Sequence, residues 1–137
     1  MGLDDARIQG FLATKEVAVL ATVQADGSPL AMAMWFLHAP GSLAMISVAD
    51  TQKVRNLRRD PRVSVVAEAV TANGGIRGVA VQGRAEFLPD GPERRALIDR
   101  FHEKYRGLQR LWNGKAMPAN RVMFKIVPSR VRSWGLG

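Results

Sequence analysis

The sequence predicts a mainly β (α+β) fold, an antiparallel barrel with small flanking helices. Three observations lead there. Six runs of strand-forming residues punctuate the chain. Most of their links are short and carry hairpin chemistry, as at Asp26-Gly27, Pro40-Gly41 and Asn73-Gly74-Gly75. Helical periodicity is confined to short segments, so most strands join by hairpins rather than by βαβ crossovers.

Element by element, Asp4 or Asp5 can cap a short first helix, whose Ile8, Phe11 and Leu12 share one apolar face. Val17 to Val23 is a continuous apolar run with three valines and reads as a buried strand. Leu30 to Leu37 is its return partner, and Leu43 to Val48 is the third strand. A basic helix follows, and Asp60-Pro61 stops it because the residue before proline is pushed out of helical space. Arg62 to Ala69 alternates as a strand. Ile76 to Leu88 is long for one, and Gly78 and Gly83 mark bulges or sharp bends in it. Pro92 suits the first position of a helix that sets an apolar stripe beside a basic one. Gly107 to Pro118 reads as irregular or as a broken helix. Arg121 to Val127 alternates Val122, Phe124 and Ile126 against Arg121, Met123 and Lys125, a half-exposed last strand. No linker divides the chain, so residues 1–137 are expected to form one domain.

The most informative stretch runs from Ser47 to Arg62. A strand enters a short polar loop, and the loop opens the basic helix. A helix start exposes backbone N–H groups without partners and favours an anion there. Thr51, Gln52 and Lys53 add a hydroxyl, an amide and a cation at the same point. Together they make a phosphate seat. The same residues also read as a solvated basic helix between two strands, since charge runs usually lie on the surface.

Composition narrows the classes. Hydrophobic residues make up 47% of the chain, enough for a core. There are no cysteines, which excludes disulfides, thiolate zinc sites and iron–sulfur clusters and fits a reducing cytoplasm. The first residues are acidic where a secretory signal would be basic, and no apolar run approaches the roughly 18 residues of a membrane helix. The expectation is a cytoplasmic protein without a membrane partner. Twenty Lys and Arg against twelve Asp and Glu give a formal charge of +8, which attracts polyanions or a phosphorylated, carboxylate-rich cofactor. Aromatics are few, at 7%, and do not interleave with the basic residues, which argues against nucleic acid. His38 and His102 stand alone, so no metal site and no catalytic histidine is assigned.

The ordered set Val19-Leu20-Ala21-Thr22-Val23, Asp26-Gly27-Ser28-Pro29, Met34-Trp35-Phe36, Lys53 through Arg62 and Val81-Gln82-Gly83-Arg84-Ala85 resembles the FMN-binding split barrel, the pyridoxamine-phosphate-oxidase-like superfamily. It is most similar to the flavin/deazaflavin oxidoreductase branch, whose members often use coenzyme F-420. The resemblance covers roughly residues 8 to 128. It implies a homodimer with two cofactor sites at the subunit interface. It also implies that the Met34-Trp35-Phe36 strand lies along the cofactor ring and that Ser47, Thr51, Gln52 and Lys53 hold the phosphate. Asn56 would lie in or next to the site, and Trp112 and Trp134 would come from the second chain.

Two features depart from the family pattern. True pyridoxamine-phosphate oxidases hold substrate with a C-terminal Arg-x-His element, but Ser129-Arg130-Val131-Arg132-Ser133-Trp134 has no histidine, which argues against a vitamin B6 substrate. Gln52 stands where the family has its first phosphate arginine, leaving more to Lys53.

The function the resemblance implies is hydride transfer between coenzyme F-420 and a small unsaturated substrate, with the cofactor supplying the chemistry. The alternatives are an FMN-dependent oxidase or reductase of the same fold, or a cofactor-binding protein without turnover. Coenzyme F-420 carries a phosphodiester and a tail of glutamates, which Arg55, Arg58, Arg59 and Lys104 are expected to meet near the mouth of the site.

Overall fold

The computed structural model describes residues 2–137. Six strands and four helices alternate in the order α1 (Ala6–Ala13), β1 (Val17–Val23), β2 (Pro29–Ala39), β3 (Ser42–Val48), α2 (Gln52–Arg59), β4 (Arg62–Val70), β5 (Ile76–Leu88), α3 (Pro92–Lys104), α4 (Leu108–Leu111) and β6 (Arg121–Trp134). The strands close into a barrel in the order β1-β2-β3-β6-β5-β4, and every pairing is antiparallel. The fold class and the element order follow the sequence reading.

Strand alternation sorts the residues. Leu20, Phe36, Met45, Val65, Val81, Phe124 and Ile126 point into the barrel and form one apolar cluster. Helix α1 adds Ile8, Phe11 and Leu12 to that cluster, and Asp5 caps it by accepting from the N–H groups of Arg7 and Ile8. A second cluster lies outside the barrel wall, where Phe101, Tyr105 and Leu108 cover Leu37, Ala44 and Met123.

Three expectations change. The Val17–Val23 run is not buried on both faces: Val17 and Val19 are 41% and 38% exposed, while Ala18, Leu20 and Thr22 point inward. The last strand does not end before Pro128 but continues to Trp134. A register shift between Gln82 and Gly83 leaves Ser129 without an opposite residue, and the proline sits at that bulge, where it interrupts no regular ladder step. Nor is the start of β6 half-exposed, because Met123 is fully buried beneath the second cluster.

Gly83 lies at the expected bulge, where a Cβ would collide with the Val127 carbonyl. Gly78 has a different reason, since the Trp134 ring lies against it and leaves no room for a side chain. No helix among the described residues is long and apolar enough to cross a membrane.

Candidate functional site

A cleft of about 290 Å³ opens where β2, β3 and β6 meet the start of α2 and the α3–α4 segment. Its lining includes Met34, Trp35, Ser47, Lys53, Trp112 and Arg121, with Phe101, Leu108 and Leu111 as an apolar wall. Of the residues singled out in the sequence, it therefore gathers Met34, Trp35, Ser47, Lys53 and Trp112.

The strand β3 delivers Ser47 at its end. The Ser47 hydroxyl is buried and donates to the Val48 carbonyl at 3.0 Å, with the Thr51 hydroxyl 3.5 Å away. Thr51 itself donates to Val48 O at 3.1 Å and makes no side-chain capping bond to α2. Gln52 turns away from the cleft. Its amide donates to Asn56 Oδ1 at 2.8 Å, and Asn56 Nδ2 donates to the Thr22 hydroxyl at 3.0 Å. Asn56 is fully buried. Buried polar groups need partners, and this chain of bonds ties α2 to β1.

Lys53 differs from the other α2 cations. It is half-buried and lines the cleft, and no hydrogen bond or ion pair engages its ammonium among the described residues. Burial pushes its pKa below the usual lysine value. The remaining cations of the helix are engaged elsewhere. Arg55 pairs with Asp50 at 2.7 Å, Arg58 lies over the Phe87 ring at 4.2 Å, and Arg59 donates to the Val23 carbonyl. Neither these three nor Lys104 lines the cleft.

Trp35 is 45% exposed and stacks in parallel on Tyr105, with ring centroids 4.4 Å apart and 3° between planes. Tyr105 is set by its hydroxyl, which accepts from Phe36 N at 2.8 Å and donates to Glu16 O at 2.6 Å. The β1–β2 register ends at Val17 opposite Trp35. The tyrosine hydroxyl therefore occupies the next step of that ladder and joins Glu16 to Phe36 in place of a direct backbone bond. Burial pushes the Tyr105 hydroxyl up to about 12. The Phe36 ring faces the barrel core with no exposure, so that residue meets the site only through its backbone. Trp112 lines the cleft of its own chain. The His102 ring meets it edge-on at 5.4 Å. Trp134 is remote from the cleft, pairing with Gly78 and donating to Glu68 Oε2 at 3.1 Å.

The sequence reading missed the wall residues Phe101, Leu108 and Leu111, and it missed Arg121. Nothing local marks them, because each reaches the cleft through pairing or packing distant in sequence.

Lys104 lies just behind the platform. It donates to Phe36 O at 2.7 Å and sits 3.9 Å over the Phe36 ring. Burial brings its pKa down from 10.5 to about 8, against the pull of Glu16 and with a further push from Arg100. Below about 8 the folded chain carries a charge it disfavours; between about 8 and 10.5 the unfolded chain binds more protons, so stability rises with pH across that window. Lys53 acts in the same direction. Urea midpoints taken at about pH 7.5 and about pH 9.5 should therefore increase, and Lys104→Met should flatten the rise. An unchanged slope in that variant would show that Lys104 is not its source.

A second hollow of about 240 Å³ lies on the outer face of the β1-β4-β5-β6 sheet, floored by Val19, Val66 and Ala80 with Arg130 and Arg132 at its edge. It contains none of the residues predicted for the site and lacks a stacked aromatic platform.

The barrel is shared with known proteins. A conserved hypothetical protein from Mycobacterium tuberculosis is 32% identical, with a TM-score of 0.81 over 96% of this chain and 84% of that one. A FAD-binding protein from Mesorhizobium loti is 26% identical, with a TM-score of 0.74 over 89% and 85% of the two chains. An F-420 reductase is 25% identical, with a TM-score of 0.67 over 90% and 94%. The sequence pattern of the pyridoxamine 5'-phosphate oxidase family matches residues 4–135. With nearly the whole chain matched and the barrel shared, this protein belongs to the pyridoxamine 5'-phosphate oxidase family.

Proposed function

We propose that the protein is an oxidoreductase that uses coenzyme F-420 to reduce a small, unsaturated, planar substrate. The observation that carries this reading is Lys53, a half-buried ammonium without a partner, in a cleft whose floor is an exposed tryptophan. A desolvated cation without a counter-charge is costly unless a ligand supplies one. The residues present fit a phosphorylated ring. Trp35 and Met34 would hold the ring. Lys53, Ser47 and Thr51 would hold the phosphate, and Gln52 and Asn56 would support α2 behind them. The F-420 reductase among the similar structures supports this choice.

When bound, the reduced deazaflavin supplies a hydride to an activated double bond. The chain positions the partners and excludes bulk water. Trp35 is fixed from behind by Tyr105, so its outer face is available to a flat ring. Phe101, Leu108, Leu111 and Trp112 form a dry wall. No carboxylate or histidine lines the cleft among the described residues, so a proton would come from water held there.

The active form would be a homodimer. A cleft of about 290 Å³ lies at the small end of ligand sites, which run from about 300 to 1,000 Å³, and a second copy would enlarge it. Exposed Val17, Val19 and Val66 offer an apolar sheet face for that contact. An FMN-dependent enzyme of the same fold is the second reading, favoured by the FAD-binding relative.

Titration with coenzyme F-420 and FMN in parallel, on protein sized by sedimentation, tests both parts. The expected result is a dimer that binds the deazaflavin more tightly at physiological salt. Tighter FMN binding would select the second reading. A dimer that bound neither ring would refute the proposal.

A further inference from the structure

We propose that Arg121 is a second anion-binding residue of the cleft and, with Lys53, makes it selective for ligands that carry phosphate. Where that ligand is a ring cofactor, the inference rests on the reading above. Strand pairing sets Arg121 opposite Val48 and Val122 opposite Ser47, at the end of β3 from which the chain leads through Thr51 to Lys53. Both cations line the same cleft, and no aspartate or glutamate lines it among the described residues.

Arg121 is also short of partners. The one hydrogen bond of its guanidinium among the described residues runs to the neutral side-chain oxygen of its neighbour Asn120, at 2.6 Å. By contrast, Arg55, Arg62 and Arg95 each pair with an aspartate. A guanidinium carries five N–H donors in a planar fork that matches two oxygens of a phosphate. Two cations facing one cleft repel each other until an anion enters, which is the arrangement a phosphate seat requires. Arg55, Arg58 and Arg59 of the basic helix do not line this cleft.

The test uses FMN, riboflavin and inorganic phosphate as probes on the full chain, with Arg121→Ala and Arg121→Lys. In Arg121→Ala, FMN affinity should fall about ten- to a hundredfold, the size expected for losing a charge-assisted bond, while riboflavin affinity stays constant. Arg121→Lys should fall between the two, since it keeps the charge and loses the fork. Stabilisation by inorganic phosphate in thermal melts should vanish in Arg121→Ala. An unchanged melting temperature without ligand shows that the fold survives; if the alanine variant fails to fold, Arg121→Lys carries the same comparison. FMN affinity that is unchanged, or that falls together with riboflavin affinity, would overturn the inference. Arg121-dependent phosphate binding without any ring binding would uphold the seat and refute the cofactor reading instead.

Discussion

Replacing Tyr105 with alanine should destabilise the ligand-free protein by about 3–5 kcal/mol, the range for deleting a large buried aromatic. The ring is only 7% exposed and lies between Trp35 and Phe101, with centroids 4.4 and 6.1 Å away. Its hydroxyl joins Glu16 to Phe36 at the end of the β1–β2 ladder. Alanine would leave a cavity under the Trp35 platform and a buried Phe36 N–H without an acceptor. Tyr105→Phe separates the two effects, since it keeps the stack and removes only the hydroxyl, at an expected cost of about 1–3 kcal/mol. Urea unfolding of both variants, with acrylamide quenching of tryptophan fluorescence, measures each part. If Tyr105→Phe were as stable as the parent, the hydroxyl would not be a working step of the ladder.

Lys53→Ala should weaken FMN or coenzyme F-420 binding by about 1.5–3 kcal/mol, the strength of a hydrogen bond to a charged group. Riboflavin binding should not change. The ligand-free protein should be no less stable than the parent, because burial already disfavours the Lys53 charge and no partner offsets it. That combination, weaker phosphate binding with undiminished stability, marks a residue kept for its ligand. Calorimetric titration and thermal melts of the same sample measure both. Unchanged affinity for the phosphorylated rings would move the seat away from Lys53.

Local chemistry made most of the fold legible. The apolar runs and the turns at Asp26-Gly27 and Asn73-Gly74-Gly75 mark strand ends that the structure keeps within one or two residues for β1, β3, β4 and β5. The reading failed where a distant partner decides. Alternation marked the last strand only from Arg121 to Val127, but the bulge opposite Gly83 accommodates Pro128 and β6 runs on. Valine content made β1 look buried on both sides, yet a valine faces outward as readily as inward when it is the sheet's outer surface that is apolar. The site was half legible. Lys53 and Ser47 sit on a contiguous strand-loop-helix segment, so their neighbourhood is written locally. Arg121 is separated from Lys53 by about half of the chain, and only the β3–β6 register brings it there. The α2 cations Arg55, Arg58 and Arg59 contact Asp50, Phe87 and Val23 and do not line the cleft.

The seam between β3 and β6, which pairs Leu43 with Ile126 at one end and Val48 with Arg121 at the other, gives the cleft a place in time as well as in space. During synthesis the hairpin bearing Trp35 and Ser47 emerges early, but the wall and Arg121 arrive only with the last third of the chain. Loop closure over such a separation is the slow part of building a β structure, so no partly made chain possesses the cleft. A ligand that binds there recognises only the finished barrel. Its binding energy then counts against global unfolding, about 2.7 kcal/mol when the ligand stands at a hundred times its dissociation constant. Cofactor supply would thereby set how long a completed molecule survives in the cell, and copies made when cofactor is scarce would be the first to be degraded.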